Sequence, residues 1–342
     1  MKTAVISPSG RYYGSEQTLY TFLSKSNHQY DVIVKNIDGG IYGRLKPLGH
    51  LKIFKFKNVK LLYAALSVFI LFRYNVIYVN EGAHIRYIKL LARLYKRKKF
   101  VIHIRLTEDT RNERLKNLPR NVTLIPVSEY MKGLVYSTTG LDFPVLSSPL
   151  RGGDCIIPFG TLPTVLSTIK VGIVGRVSAS KRLDRVLELN DYLSEENIKT
   201  IELHLYGDLV REEIAVIAFE KFYNQGLYQS ITIHGFVEDK RSIYENVDVV
   251  LHLNSEEPLG VVFFEALCQG VPFIGMDKGG SGEIAKNLGL EKYSLSSINF
   301  CEDFIKVLEQ MDSLKFDEAR VKMKELYSIE NYVERLESII IV

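Results

Sequence analysis

Short runs of β-branched and aliphatic residues alternate along this chain with longer stretches in which apolar side chains recur every three or four positions. The first kind reads as strands and the second as amphipathic helices. In the first half the strand candidates are Thr3–Ile6, Asp31–Val34, Val76–Val79, Phe100–Ile104, Val122–Pro126 and Val145–Ser147. Ser15 can cap a helix whose Leu19, Phe22 and Leu23 share a face, and Ser128 can cap another carrying Met131, Leu134 and Val135. Between Pro149 and Thr168 the chain holds three prolines and three glycines and no long periodic segment, which predicts an interdomain connection. A second alternation begins at Lys170, with strands at Val171–Val174, Ile201–Leu205, Ile231–His234, Val247–Leu251 and Val271–Ile274. Helices are expected near Leu183–Leu193, Glu212–Asn224 and Val261–Gln269, and the chain ends in charge-rich helical sequence from Glu302 to Ile340. No fixed-period repeat runs through it, so solenoids and propellers are excluded. The pattern is that of βα units on parallel sheets, here two doubly wound α/β domains of similar size. Such sheets bind ligands at the carboxyl ends of their strands, so the expected site is a cleft between the domains.

Composition agrees and adds one asymmetry. A length of 342 residues, at about 150 per domain, also suggests two domains. With 46% apolar and 25% charged residues the chain can bury a core, which excludes the disordered and mini-protein classes. Three cysteines, Cys155, Cys268 and Cys301, make no framework and no CxxC spacing, which points to a reducing cytosol. The opening MKTAVISPSG has an apolar run too short for a signal peptide and reads as a first strand. Leu61–Phe72 falls short of the roughly 20 residues needed to span a bilayer and reads as a buried helix, with interfacial membrane contact as the alternative. The net charge of +4 conceals a division: residues 1–169 carry 25 Lys and Arg against 10 Asp and Glu, and residues 170–342 carry 19 against 30. The halves therefore face different partners, or each other.

Candidate chemistry concentrates in the second half. Gly175-Arg176 follows the strand VGIV, and Lys181 stands just before a helix. A glycine turn with two cations at a helix N-terminus suits a diphosphate, Arg176 gripping two oxygens and Lys181 acting as a point charge; the competing reading is a solvated basic turn. In EEPLGVVFFE, Pro258 suits a first helical position, with Glu257 at or before the cap and Glu265 about two turns in. Eight helical residues span roughly 12 Å, enough for two carboxylates to meet opposite ends of an elongated ligand. Glu265 lies among apolar neighbours, which predicts a partnered carboxylate more than a bare surface one. Lys278-Gly279-Gly280-Ser281-Gly282-Glu283 allows close backbone approach to a ligand, a weak signal by itself.

In this order, GR…K, YGD at Tyr206-Gly207-Asp208, HGFVED at His234–Asp239, EPLGVVFFEAL, and GVPFIG with GGSGEI, residues 170–285 resemble the family-4 retaining glycosyltransferases of the GT-B fold. The Glu257-to-Glu265 spacing is the most specific part of the match. The resemblance implies two Rossmann-like domains facing a cleft: residues 1–165 binding the acceptor, residues 166–325 binding the donor, and residues 326–342 a C-terminal helix that packs back on the first domain. It implies that Arg176 and Lys181 bind the donor diphosphate, Glu265 the nucleotide ribose and Glu257 a hydroxyl of the transferred sugar, with the amides of Leu259, Gly260 and Val261 against sugar and phosphates. Arg182 departs from the glycine that many members have after the lysine. In the first half, Gly10-Arg11-Tyr12-Tyr13-Gly14-Ser15-Glu16 looks like the family's glycine loop near the donor phosphates, through Gly14 and Ser15, and lacks the dinucleotide G-x-G-x-x-G spacing. His103 resembles the family's cleft histidine contacting the donor sugar. A satisfied core histidine is the other reading.

A basic cluster, Arg86, Lys89, Arg93, Lys96–Lys99, Arg105, Arg111, Arg114, Lys116 and Arg120, resembles a surface for anionic lipid or a lipid-diphosphate acceptor. No nucleic-acid motif accompanies it. The expected reaction moves a sugar from a nucleotide-diphosphate sugar, UDP favoured and GDP possible, to a saccharide or polyprenyl-diphosphate-linked acceptor in surface polysaccharide assembly, at the inner face of the cell membrane. No D-x-D pair occurs, so no metal or other cofactor is expected and the cations carry the diphosphate charge. The alternatives are a non-catalytic sugar-nucleotide-binding or scaffolding subunit at the membrane, and a GT-B phosphorylase or epimerase.

Overall fold

Two parallel sheets, each with a complete set of flanking helices, make up the computed structural model, which describes residues 2–111, 114–150, 159, 167–211, 213–224, 226 and 230–341. The chain divides into two units, residues 1–151 with 326–342, and residues 152–325, where the sequence placed the boundary after residue 165.

The first unit holds strands β1 (Thr3–Ser7), β2 (Asp31–Lys35), β3 (Lys52–Phe56), β4 (Val76–Val79), β5 (Lys99–Ile104) and β6 (Val122–Pro126). Its helices are α1 (Gly14–Lys25), α2 (Ile41–Leu45), α3 (Val59–Phe72), α4 (Ile85–Leu94) and α5 (Glu129–Thr139). The strands are all parallel in the order β3-β2-β1-β4-β5-β6. Every residue of β1 and β4 is buried, as in a parallel sheet covered on both faces. The sequence reading passed over β3, KIFKF, because its lysines interrupt the apolar run; it is an edge strand, where charge guards the open ladder. Val145–Ser147, expected as a strand, is irregular, with the Leu146 N–H donating to Pro126 O at 3.0 Å.

The second unit holds β7 (Ile169–Val174), β8 (Ile201–Tyr206), β9 (Ile231–Gly235), β10 (Val249–His252), β11 (Phe273–Met276) and β12 (Ser294–Leu295). Its helices are α6 (Leu183–Glu195), α7 (Ile214–Asn224), α8 (Lys240–Tyr244), α9 (Val261–Cys268), α10 (Gly279–Leu288), α11 (Phe300–Glu309) and α12 (Ser313–Leu326). The strands are again parallel, in the order β12-β11-β10-β7-β8-β9, so both units repeat the doubly wound 3-2-1-4-5-6 arrangement. Phe263 of α9 stacks on Phe273 of β11 at 4.1 Å, which fixes α9 against the sheet. Among the described residues Cys268 is disulfide-bonded and Cys301 is free. Nearly all of the expected interdomain connection lies outside the described residues.

The last helix, α13 (Ile329–Ile340), belongs to the first unit. Its Tyr332, Leu336 and Ile340 are buried with Leu19, Phe22 and Leu23 of α1 in one core, where Tyr332 meets Phe22 edge-on at 6.4 Å. Helix α3 buries Leu62, Tyr63 and Leu66 and exposes Val68 and Phe72. No helix among the described residues is long and apolar enough to cross a membrane.

Candidate active site

In the second sheet the strand order reverses between β7 and β10, and the carboxyl ends of these strands are where a doubly wound sheet opens a crevice. Strand β7 runs into Gly175-Arg176. Gly175 has φ +136° and Gly207, after β8, has φ +146°; a Cβ on Gly207 would lie 2.0 Å from Gly175 O. Only glycine lets the two strand-end loops touch, which aligns them for the bonds Val177 N–H to Asp208 O at 2.9 Å and Val210 N–H to Val177 O at 3.0 Å.

A short 3-10 turn, Ala179–Lys181, then leads into α6 through Arg182 at φ 58°. This is the left-handed region that favours glycine, which accounts for the usual residue there. Arg182 holds it with its fork on Asp184 at 2.7 Å, so the departure leaves the turn intact and directs this cation to a neighbour on α6.

The turn places Lys181 over the end of β10. Its Nζ lies 2.8 Å from Glu257 Oε2 and 3.3 Å from His252 Nε2, and His252 Nε2 lies 3.2 Å from the same carboxylate oxygen. The Asn254 N–H points at His252 Nδ1 at 3.4 Å, which assigns the ring proton to Nε2, donating to Glu257. Burial would raise the Glu257 carboxyl, but the His252 hydrogen bond and the Lys181 charge hold it far below the usual range. Arg176 is exposed beside this trio, and Arg176, Ser178, Lys181 and His252 line a cavity of about 20 Å³, room for about one water. Sequence reasoning named Arg176, Lys181 and Glu257 and missed His252, which stands one residue past the strand it placed at Val247–Leu251. The signal was a histidine at the carboxyl end of a strand beside the reversal point.

Helix α9 matches the run expected near Val261–Gln269 and departs from the reading of Pro258 as its first residue. It begins at Val261, with Gly260 as its cap at φ +87°, and not at Pro258, because the Pro258-Leu259 segment is held as a turn under α10. A Cβ on Gly280 would come within 2.6 Å of Leu259 N, and one on Gly279 within 2.6 Å of Ser255 O. The glycines of KGGSGE thus serve close packing of this protein's own backbone, and the Gly280 N–H donates to Glu257 O at 2.7 Å, steadying the main chain that carries the carboxylate. Leu259, Gly260 and Val261 form the entry to α9, where amides lack intrahelical acceptors. Glu265 is only the fifth helical residue, about 6 Å along the axis from Val261. It is partnered, as its apolar setting predicted: it accepts from Tyr244 Oη at 3.1 Å and pairs with Lys240, both from α8.

The first unit arranges its candidates differently. Gly14 and Ser15 open α1, where buried Glu16 accepts from the Tyr13 N–H at 3.2 Å, from Ser15 Oγ at 2.9 Å and from Ser9 Oγ. His103 is fully buried: Nδ1 accepts from Tyr78 Oη at 3.0 Å and Nε2 donates to Leu146 O at 3.1 Å, while burial and the Arg105 charge keep the ring neutral. Of the two readings of His103, this arrangement matches the satisfied core histidine, since both ring nitrogens are engaged inside the unit. Arg105, counted above in a basic surface, is likewise buried, donating to Asn80 O, Ser148 Oγ, Asn80 Oδ1 and Tyr332 Oη at 2.9–3.3 Å. Glu81 and Asp109 were missed. Burial, with the Glu16 charge beside it, raises Glu81 to about 7, and burial raises Asp109 to about 6.

Residues 164–325 match the family model described as glycosyl transferases group 1. No curated protein sequence matches the chain. Among solved structures, Anabaena HepE in complex with UDP-glucose is 18% identical with a TM-score of 0.75, over 99% of this chain and 98% of that one. The lipopolysaccharide outer core galactosyltransferase WaaB is 16% identical with a TM-score of 0.71, over 99% of each chain. S. aureus TarM is 12% identical with a TM-score of 0.72, over 99% and 98%. At these identities the likeness establishes the fold, which is GT-B.

Proposed function

We infer that this protein, whose residues 164–325 match the group 1 glycosyltransferase model, transfers a sugar from a nucleotide-diphosphate donor to an acceptor hydroxyl with retention at the anomeric carbon. The observation that carries the reading is the Lys181–Glu257 ion pair, backed by His252 and beside Arg176, at the reversal point of the second sheet. A UDP-sugar is the favoured donor, in keeping with the UDP and UDP-glucose complexes of HepE. As the bond to the anomeric carbon breaks, negative charge grows on the departing diphosphate. Arg176 meets it as a fork and Lys181 as a point charge, both already in place, so they lower the energy of the transition state more than that of the bound donor. Glu257, kept ionised, accepts hydrogen bonds from hydroxyls of the transferred sugar. Glu265 offers its carboxylate to the ribose diol, exchanging Tyr244 or Lys240 for it. The acceptor is a saccharide or a lipid-linked saccharide. Attack comes from the face that the diphosphate leaves, with a phosphate oxygen taking the acceptor proton, and the cations do the work that Mg²⁺ does elsewhere.

A membrane-surface location is part of the proposal. Val68 and Phe72 on α3 and Leu90 and Leu94 on α4 are exposed, and Arg86, Arg93, Lys96 and Arg97 are exposed around α4, a mixture suited to an anionic lipid interface. The direct test is transfer from UDP-sugars with NMR assignment of the product anomer, run with and without EDTA. Arg176→Ala or Lys181→Ala should each slow transfer by about a hundredfold or more, the order seen when one preorganised donor to a developing anion is removed. Near-normal turnover in both variants, or an inverted product, contradicts the assignment.

A further inference from the structure

Strands β2 and β3 end side by side in the first unit, with Lys35 in register with Phe56, so Lys35 and Lys57 reach the same carboxyl edge. Two residues later α3 begins, and Lys60 falls in its first turn. Asn58 opens that helix: its side-chain oxygen accepts from the Lys60 N–H at 2.8 Å, and its carbonyl from the Leu62 N–H at 3.0 Å. From the far side, the entry to α4 brings His84 and Tyr87, and the Tyr87 ring stacks on Tyr63 of α3 at 5.0 Å and 10°. Lys35, Lys57, Asn58, Lys60, His84 and Tyr87 line one cavity of about 390 Å³, within the usual range of ligand pockets.

Three ammonium groups around one cavity repel each other, and no ion pair among the described residues involves any of them. Burial and the Lys35 charge depress His84, so it lines the cavity as a neutral ring with one N–H to donate. The Asn58 amide and the Tyr87 hydroxyl add two uncharged donors. The lining is thus rich in donors and carries no carboxylate, the chemistry that binds a compact, multiply charged oxyanion. We propose that this cavity is an anion site of the first unit, taking a phosphate or diphosphate group, separate from the one assigned to Arg176 and Lys181. The proposal goes beyond the donor reading and does not depend on it.

The test uses the full chain with the donor cations removed, Arg176→Gln with Lys181→Gln, titrated calorimetrically with inorganic pyrophosphate. One binding event should remain and should weaken as salt is raised. Adding Lys35→Gln, Lys57→Gln and Lys60→Gln should weaken it by about tenfold or more, the order expected for lost charge-assisted contacts, with thermal unfolding unchanged. Absence of pyrophosphate binding in the donor-site variant, or unaltered binding after the lysine changes, overturns the proposal. Flotation with phosphatidylglycerol vesicles separates the sources. Vesicle binding that falls with the lysines and is displaced by pyrophosphate supports the site with a lipid headgroup as its ligand. Vesicle binding that persists while pyrophosphate binding is lost supports it with the phosphate of a soluble ligand. Should the Arg176 and Lys181 changes leave UDP affinity intact, the donor reading fails while this test stands.

Discussion

In the first unit Arg105 and His103 are buried in a closed set of hydrogen bonds with Tyr78, Asn80, Ser148 and Tyr332, whereas in the second Arg176 is exposed and Lys181 is half-buried against Glu257. Both sets lie at the carboxyl ends of sheets with one strand order. One set is consumed in holding its own fold, with α13 supplying Tyr332. The other keeps cations within reach of a ligand. The charge balance follows the same line: the first unit carries 26 Lys and Arg against 12 Asp and Glu, and the second 18 against 28. A basic unit with its arginine buried, and an acidic unit with its lysine offered, show that net charge does not locate the chemistry; the state of the individual group does.

The contrast can be broken most severely at Tyr332. Tyr332→Ala removes a core ring and an acceptor for buried Arg105, and should cost about 3–5 kcal/mol in denaturant unfolding. The calorimetric affinity of the second unit for UDP should survive below the transition. Equal losses of stability and nucleotide binding would mean that the two sets are not separate.

A smaller effect concerns pH. Glu81 and Asp109 have folded pKa values near 7 and 6, above ordinary carboxyl values, so the native state holds more protons than the unfolded chain in between. The stability contributed by the protonated forms is complete below about pH 4 and is lost as pH rises through 6 and 7. Glu81→Gln with Asp109→Asn should flatten the slope measured by urea unfolding at pH 5 and 8. A slope unchanged by both substitutions contradicts the buried-carboxyl account.

The smallest expected change sharpens the second unit. His252→Leu leaves Glu257 with Lys181 alone, and should raise KM for the UDP-sugar by about tenfold with little change in affinity for UDP. His252→Gln, which restores an N–H donor, should recover part of it. If the leucine variant behaves as the parent, His252 is only core filling.

Much of this was legible in the chain. The βα alternation follows from apolar runs that parallel sheets bury on both faces, and Arg176, Lys181 and Glu257 stood out because cations after a strand-end glycine and a carboxylate before a helix are local patterns. What stayed hidden depends on contacts distant in sequence. The start of α9 is set by Gly280 pressing on Leu259, and no propensity at Pro258 reports that. His252 acts through Glu257, five residues on, across a loop whose course the chain does not announce. His103 and Arg105 carry polar labels that suggest exposure, and only α13, more than 220 residues later, closes the shell around Arg105. Strand β3 hid behind its own lysines.

The central claim is that Arg176 and Lys181 hold the diphosphate of a nucleotide donor. Calorimetric titration of UDP into the intact chain and into Lys181→Ala tests it without an acceptor. The account predicts binding to the parent that weakens by about tenfold or more in the variant. Equal affinity in the two proteins would contradict it.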